Sequence, residues 1–546
     1  VSIVHVLRTL FVAAAALVLA SCSRADDAGS GGNPGTRHGI LRIVNLSEPD
    51  TLNSVVGNEA IDSELAELWG GMLFEWSDEN TFVPDLATVV PTLENGGISP
   101  DGRTIRYHLR PKVTWQDGAP FTAADVIFTW HAVMNKANNV AGTAGFDLVT
   151  RIDAPDPHTL IVHLRRPFAP FVATFFAPSS LPYPILPAHL LAKYPNINTI
   201  PFNSKPVGTG PFIVDHWQRG NRIVFHANPH YWRGPPKLKE IWYTPVGDDN
   251  TILTLLQSHQ ADLEYRAPAS HLAEFQALKG FRTILNPYTE YGYDSFNLRT
   301  PALQDVRVRR ALWYAIDFPA FLHDVTHDVN VRGYTDQPSF LWAYDPHAPH
   351  YDYRPQEARA LLDAAGWRVG SDGIRVRGGT RLSLVLAMSA GSALDAATGV
   401  QLQRYWHDVG VDVQIKTYTT SLYFSSFGAG GILMGGKYDI GQYSWTNGAD
   451  PDDSTQWMCD QFPPAGQNEG HYCNPKLDAA ERIAITSNDR AVRTAAYAKI
   501  QEIWASDVPG IIRWFARRVV VENTDLENYK PAHAVADFWN SYEWSI

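Results

Sequence analysis

A single hydrophobic core stops growing at roughly 250–300 residues, and this chain has 546. It must therefore divide into two or three lobes. The composition supplies material for such cores, with 45% hydrophobic and 19% charged residues, an ordinary globular balance. The formal net charge is -12, with both signs interspersed and no basic run, which argues against nucleic acid as a partner. From Gly39 onward, strand and helix signals follow one another in mixed order without a repeat.

The first 22 residues differ from the rest. An apolar run, Thr9 to Leu19, follows Arg8; it is too short to span a bilayer and has the length of the hydrophobic region of a secretory signal. It ends in Leu19-Ala20-Ser21-Cys22. Small residues before a cysteine resemble the lipobox of bacterial lipoproteins, which implies acylation of Cys22 and removal of the peptide before it; a plain signal with an incidental cysteine is the alternative. Residues 23–37 are rich in Gly, Ser, Asp and Asn and read as a flexible tether. No other segment approaches the roughly 20 apolar residues of a membrane span. The expected protein is thus a soluble body, lipid-anchored in the periplasm or at the outer face of the cell membrane. With Cys22 assigned to lipid, Cys459 and Cys473 remain as one candidate disulfide pair. The loop they would close, about 15 residues, is worth about 3 kcal/mol in the chain-entropy model; two free buried thiols are the alternative.

Periodicity places several elements. Ile40 to Val44 reads as a strand, followed by a loop of capping residues, Asn45 to Asn53. Arg103 to Leu109 and Arg222 to Ala227 alternate as half-buried strands, with Ile105, Tyr107 and Leu109, then Ile223, Phe225 and Ala227, on the inner faces. Thr122 is placed to cap a helix with Asp125 in its first turn, where a carboxylate suits the dipole. In the second half, Val308, Ala311, Leu312, Ala315 and Ile316 form a helical stripe, with Arg307, Arg309 and Arg310 expected to turn away from it. Pro355 opens a helix that Gly366 ends, and Asn474-Pro475 and Asp489 start two more, the last with Val492, Ala496, Ile500, Ile503 and Trp504 as its inner stripe.

Read in order, several segments carry a resemblance. They are Leu109-Arg110-Pro-Lys-Val-Thr-Trp115-Gln-Asp117-Gly118 continuing to Val126; Gly208-Thr209-Gly210-Pro211-Phe212; Asn228-Pro229-His-Tyr231-Trp232-Arg-Gly234; Phe296-Asn297 with Val308 to Asp317; Ala358 to Trp367; and Cys473-Asn474-Pro475 to Asp478. Each alone is weak, but their common order resembles the peptide-binding proteins of bacterial ABC importers, the dipeptide-, oligopeptide- and nickel-binding type of solute-binding protein family 5. The resemblance implies an α/β, periplasmic-binding-protein-like (type II) fold, two jaws with an extra third lobe. Lobe I would comprise 38–72, 205–286 and 513–546, lobe II 73–204 and lobe III 287–512, with hinge crossings near Asn286 and Ile512. It implies a monomer that binds a small ligand, a peptide above all, and delivers it to membrane permease subunits by cleft closure, with no cofactor and no catalysis.

The expected pocket segment runs through Trp445, Thr446, Asn447, Gly448 and Asp450. In the family a Trp-led segment of this kind carries an aspartate that meets the ammonium of a bound peptide. Here the loop is one residue short: Gly448 or Asn447 falls at the acidic position, and Asp450 is the remaining acid. Glu48 and Asp50 lie in the first loop, where the resemblance puts a ligand-facing acid; capping or solvated roles explain them equally. Tyr293, Ser295 and Asn297 enter the third lobe beside the hinge, as cleft lining or as a strand edge.

Catalytic patterns in the sequence are absent or incomplete. Gly431 to Tyr438 nearly spells a phosphate-binding loop but ends in Tyr where a Ser or Thr must hold magnesium. There is no Gly-x-Ser-x-Gly elbow, no His-Glu-x-x-His helix and no Cys-x-x-Cys pair; the histidines are scattered, and no metal site is expected. A ligand-sensing subunit for a receptor, and a secreted hydrolase with carboxylates brought together only by the fold, are the other readings.

Overall fold

The computed structural model describes residues 32–179, 182–534 and 537–546. Cys22 and the apolar run before it lie outside the described residues. Two long strands, Phe281–Phe296 and Gly510–Asn523, pair antiparallel from Phe281 opposite Asn523 to Ser295 opposite Gly510. At the 519–523 end, Leu263–Ala267 joins the pair and the sheet continues through Ile40–Asn45, Glu240–Pro245, Arg222–Ala227 and Phe212–Gln218. At the 290–296 end, Ile440–Thr446 joins on the other side, followed by Ser383–Ser389 and Asp412–Tyr418.

Burial divides along the same two strands. One core gathers Leu41, Trp69, Tyr107, Trp115, Phe175, Phe212 and Leu263 with Phe538 and Trp544 of the C-terminal tail. A second gathers Tyr291, Phe296, Leu312, Trp406, Ile440, Trp504 and Phe515. A smaller cluster of Val44, Leu256, Phe281 and Val521 flanks the first half of the sheet. Between the halves the ladder loses register, from Pro287 opposite Arg517 to Tyr291 opposite Phe515. Pro287 has no N–H to donate at that place.

The motifs of the first half dock on one another. The Asp-Gly turn places Gly118 at φ +90, a conformation glycine adopts without strain. Thr122 caps the helix Ala123–Met134 in a capping box with Asp125, and Asp125 Oδ1 also accepts from Ala188 N at 3.0 Å. Gln116 ties this motif to the next: its Oε1 accepts from Gly208 N at 3.0 Å and its Nε2 donates to Phe212 O at 2.8 Å. The Gly-Thr-Gly-Pro turn is glycine-rich because the backbone of Trp69 lies against it; a Cβ on Gly208 would stand 1.8 Å from Trp69 O. Ile105, Tyr107 and Leu109 are buried, as are both Val224 and Phe225 in the internal strand Arg222–Ala227.

Three residues are placed differently from expectation. Arg309 is not turned to solvent: it is 7% exposed, and its Nε donates to Val508 O at 2.8 Å and its Nη1 to Leu303 O at 2.8 Å. Arg310 Nη2 donates to Ser506 O at 2.6 Å. Both guanidinium groups thus meet carbonyls at the end of helix Arg490–Asp507, where cations offset the dipole and satisfy orphan acceptors. Val492 in turn is 43% exposed, while Ala496, Ile500, Ile503 and Trp504 are buried. Helices Val306–Tyr314, Pro355–Ala364 and Pro475–Thr486 form where their caps and stripes place them.

Because the Gly208 site has no room for even a methyl group, Gly208→Ala should lower unfolding stability by at least about 2 kcal/mol, measured by urea titration. A loss under about 0.5 kcal/mol would show that Trp69 and the turn separate at little cost.

Candidate functional site

Where the two long strands pass between the halves of the sheet, residues from both halves line an open cavity of about 560 Å³. Arg266, Ala267 and Ser270 line it from the first half; Asp324, Thr326 and Leu394 line it from the second. Glu290 and Trp514 to Val519 of the long strands contribute the floor, apart from Phe515. Leu394 lies in the first turn of helix Ala393–His407, whose cap Ser392 accepts from Asp395 N.

Most charges around this cavity are already engaged. Arg266 is ion-paired with Glu64, which also accepts from the Tyr265 hydroxyl at 2.7 Å. Arg518 is ion-paired with Asp537 and lies over the Tyr288 ring at 3.3 Å. Arg517 donates to the carbonyls of Asp328, at 2.6 Å, and Val329. Asp324, exposed at the rim, accepts from Gln401 Nε2 at 3.3 Å. Glu290 is half-buried, and its carboxylate takes no hydrogen bond or ion pair among the described residues.

None of the ten residues expected to bind ligand lines this cavity. Trp445 is half-buried against the second core, its Nε1 donating to Asn447 Oδ1 at 3.1 Å. Asn447 is buried; its Nδ2 donates to Asp336 O at 3.1 Å and its carbonyl accepts from Thr289 Oγ1 at 2.6 Å. Thr446 pairs across from Glu290, and Gly448 is half-exposed. Asp450 is held by Arg493 through two bonds of 2.8 and 2.6 Å, a bidentate pair that occupies the carboxylate. Glu48 accepts from Trp217 Nε1 at 3.1 Å and Gly220 N at 2.8 Å, so it fastens the first loop to the hairpin beside it. Asp50 is exposed, and its carbonyl accepts from Arg219 at 2.7 Å.

Tyr293 and Ser295 face the interior of the second core, around a void of about 10 Å³ shared with Tyr443 and Glu469, room for about one water. Asn297 donates to the carbonyls of Gly436 and Tyr438 at 3.0 and 2.8 Å. Cys459 and Cys473 are joined by a disulfide. The loop it closes carries Asn468, whose side chain binds Met458 O and Tyr472 O, and Glu469, which accepts from the Tyr443 hydroxyl. The sequence signal for the cavity was slight: Glu290 is an acid in a run otherwise dominated by tyrosine and small residues.

The halves also touch away from the crossing. Ala169 N donates to Ile485 O at 2.7 Å, and Trp76 and Phe82 pack with Ala449, Ala532 and Ala534.

A two-core α/β chain with a cavity where its shared strands cross is a binding protein of the periplasmic type. The chain belongs to the bacterial extracellular solute-binding proteins, family 5, whose middle-region model matches residues 81–465. Protein XP55 of Streptomyces lividans is 30% identical over 91% of this chain and 88% of its own length. NikZ from Campylobacter jejuni, solved in complex with Ni(L-His), superposes with a TM-score of 0.76 at 26% identity, covering 94% of this chain and all of that one. The oligopeptide-binding protein AppA of Bacillus subtilis, solved with a nonapeptide, shares the fold with a TM-score of 0.75 at 21% identity, covering 92% and 98%.

Burial pushes Glu469 up to about 7, opposed by the Tyr443 hydrogen bond. A carboxyl with a raised folded value binds its proton more tightly when folded, so its contribution is complete below the unfolded value of 4.5 and is lost as pH rises through about 7. The wild type minus Glu469→Gln stability difference should therefore fall by about 3 kcal/mol between pH 4.5 and 8. A difference that stays flat across that range, in denaturant titrations of both proteins, would contradict this assignment.

Proposed function

We propose that this protein is the extracytoplasmic peptide receptor of an ABC importer. It closes on its ligand, presents it to membrane permease subunits and catalyses no reaction. The observation that carries this reading is the 560 Å³ cavity lined from both halves at the strand crossing. A ligand touching both halves binds the shut form better than the gaping one, so occupancy shifts the population toward closure. Peptides are the ligand class favoured by the relatives: the Escherichia coli dipeptide-binding protein is 26% identical over 78% of this chain, and AppA of Bacillus subtilis is 23% identical over 97%.

In this reading lobe I comprises 38–72, 205–286 and 513–546, lobe II 73–204 and lobe III 287–512. Support comes from the change of buried cluster along both long strands and from the loss of ladder register between Pro287 and Tyr291. The protein acts as a monomer, held by lipid on Cys22 in the periplasm or at the outer face of the membrane. No helix among the described residues is long and apolar enough to cross a membrane. Thr446, among the ten residues expected to bind ligand, pairs across from Glu290 on the cleft floor.

Peptides of two to nine residues, screened by thermal unfolding, should include members that raise the melting temperature; a ligand at 100 times its Kd adds about 2.7 kcal/mol. Stabilisation by sugars or metal chelates, with no peptide active, would replace the peptide reading.

A further inference from the structure

We infer that Glu290 is the group in the cleft that receives a ligand's cationic centre, the amino terminus if the ligand is a peptide. This rests on the proposed binding function and names the chemistry of its site. Of the charged groups lining the cavity, Arg266 and Arg518 have carboxylate partners, Arg517 is spent on two carbonyls and Asp324 sits exposed at the rim beside Gln401. Glu290 alone combines a place on the floor, partial burial and a carboxylate without a partner among the described residues. A carboxylate drawn partly out of water is left uncompensated until a cation meets it, so an ammonium with its three donors gains more here than a neutral group.

The position is also held from both sides. Thr289, next to it, donates its N–H to His533 O of the C-terminal tail at 3.0 Å and its hydroxyl to Asn447 O of the second half at 2.6 Å. Tyr291, on the other side, is buried and donates its hydroxyl to Gln456 Oε1 at 2.9 Å. The Glu290 backbone is thus fixed where the two halves meet, and a cation held there sits at the crossing itself. Asp450, the acid nearest in sequence to the expected pocket loop, is unavailable because Arg493 fills it.

The test compares the full-length mature protein with Glu290→Gln and Asp324→Asn, using calorimetry with dialanine, trialanine, their N-acetyl forms and spermidine as probes. Among the described residues the Glu290 side chain makes no hydrogen bond or ion pair that Gln would break, so the variant should unfold within a few degrees of the wild type. The wild type should prefer free amino termini to acetylated ones by tenfold or more. Glu290→Gln should lose that preference and Asp324→Asn should keep it. If spermidine binds and no peptide does, and Glu290→Gln weakens spermidine tenfold, the role of Glu290 stands while the peptide reading falls. The inference is overturned if the amine preference survives in Glu290→Gln, if acetylated and free peptides bind the wild type equally, or if no cationic probe binds at all.

Discussion

The antiparallel pair formed by Phe281–Phe296 and Gly510–Asn523 is the constraint on which the rest depends. Each strand gives one end to the first half of the sheet and the other end to the second core. Neither core can be completed without segments far apart in sequence: the C-terminal tail closes the first core through Phe538 and Trp544. Regular register lapses between Pro287 and Tyr291 and again between Gly292 and Tyr293. A short irregular stretch between two well-packed bodies concentrates any bending there, since the interiors on either side are too densely packed to deform.

Around this crossing, charge is used mainly for fastening. Arg266 and Arg518 each hold a buried carboxylate, Arg493 holds Asp450, and Arg309 gathers carbonyls at a helix end. Breaking one partner of such a pair leaves the other uncompensated, which is why these groups hold their neighbours rigidly even where their net stabilisation is small. A cleft whose polar groups are mostly committed leaves few free to choose a ligand, and the floor carboxylate of Glu290 stands out for that reason.

Much of the fold was legible in the sequence. The alternation of Ile105, Tyr107 and Leu109, the Thr122 cap and the Asn474-Pro475 helix start are local patterns, and local patterns survive folding. The order of motifs identified the family. What sequence did not disclose was partner choice across the chain. Arg309 reads as solvated from its helical face alone, because the carbonyls of Asp507 and Val508 that it meets lie about 200 residues away. Asp450, Glu48 and Tyr293 have suitable chemistry for a pocket, yet Arg493, Trp217 and the second core had prior claims on them. Glu290 carries no such signal, since an acid on a strand is unremarkable until the cavity above it is known.

The central claim is that the two halves move about the strand crossing and that ligand sets the balance. Spin labels at Lys136 and Val400, exposed positions on opposite halves, measure that motion directly by pulsed dipolar spectroscopy. The account predicts that a saturating ligand, with occupancy verified by calorimetry, narrows the distance distribution and shifts it to shorter values. A distribution identical with and without bound ligand would contradict it.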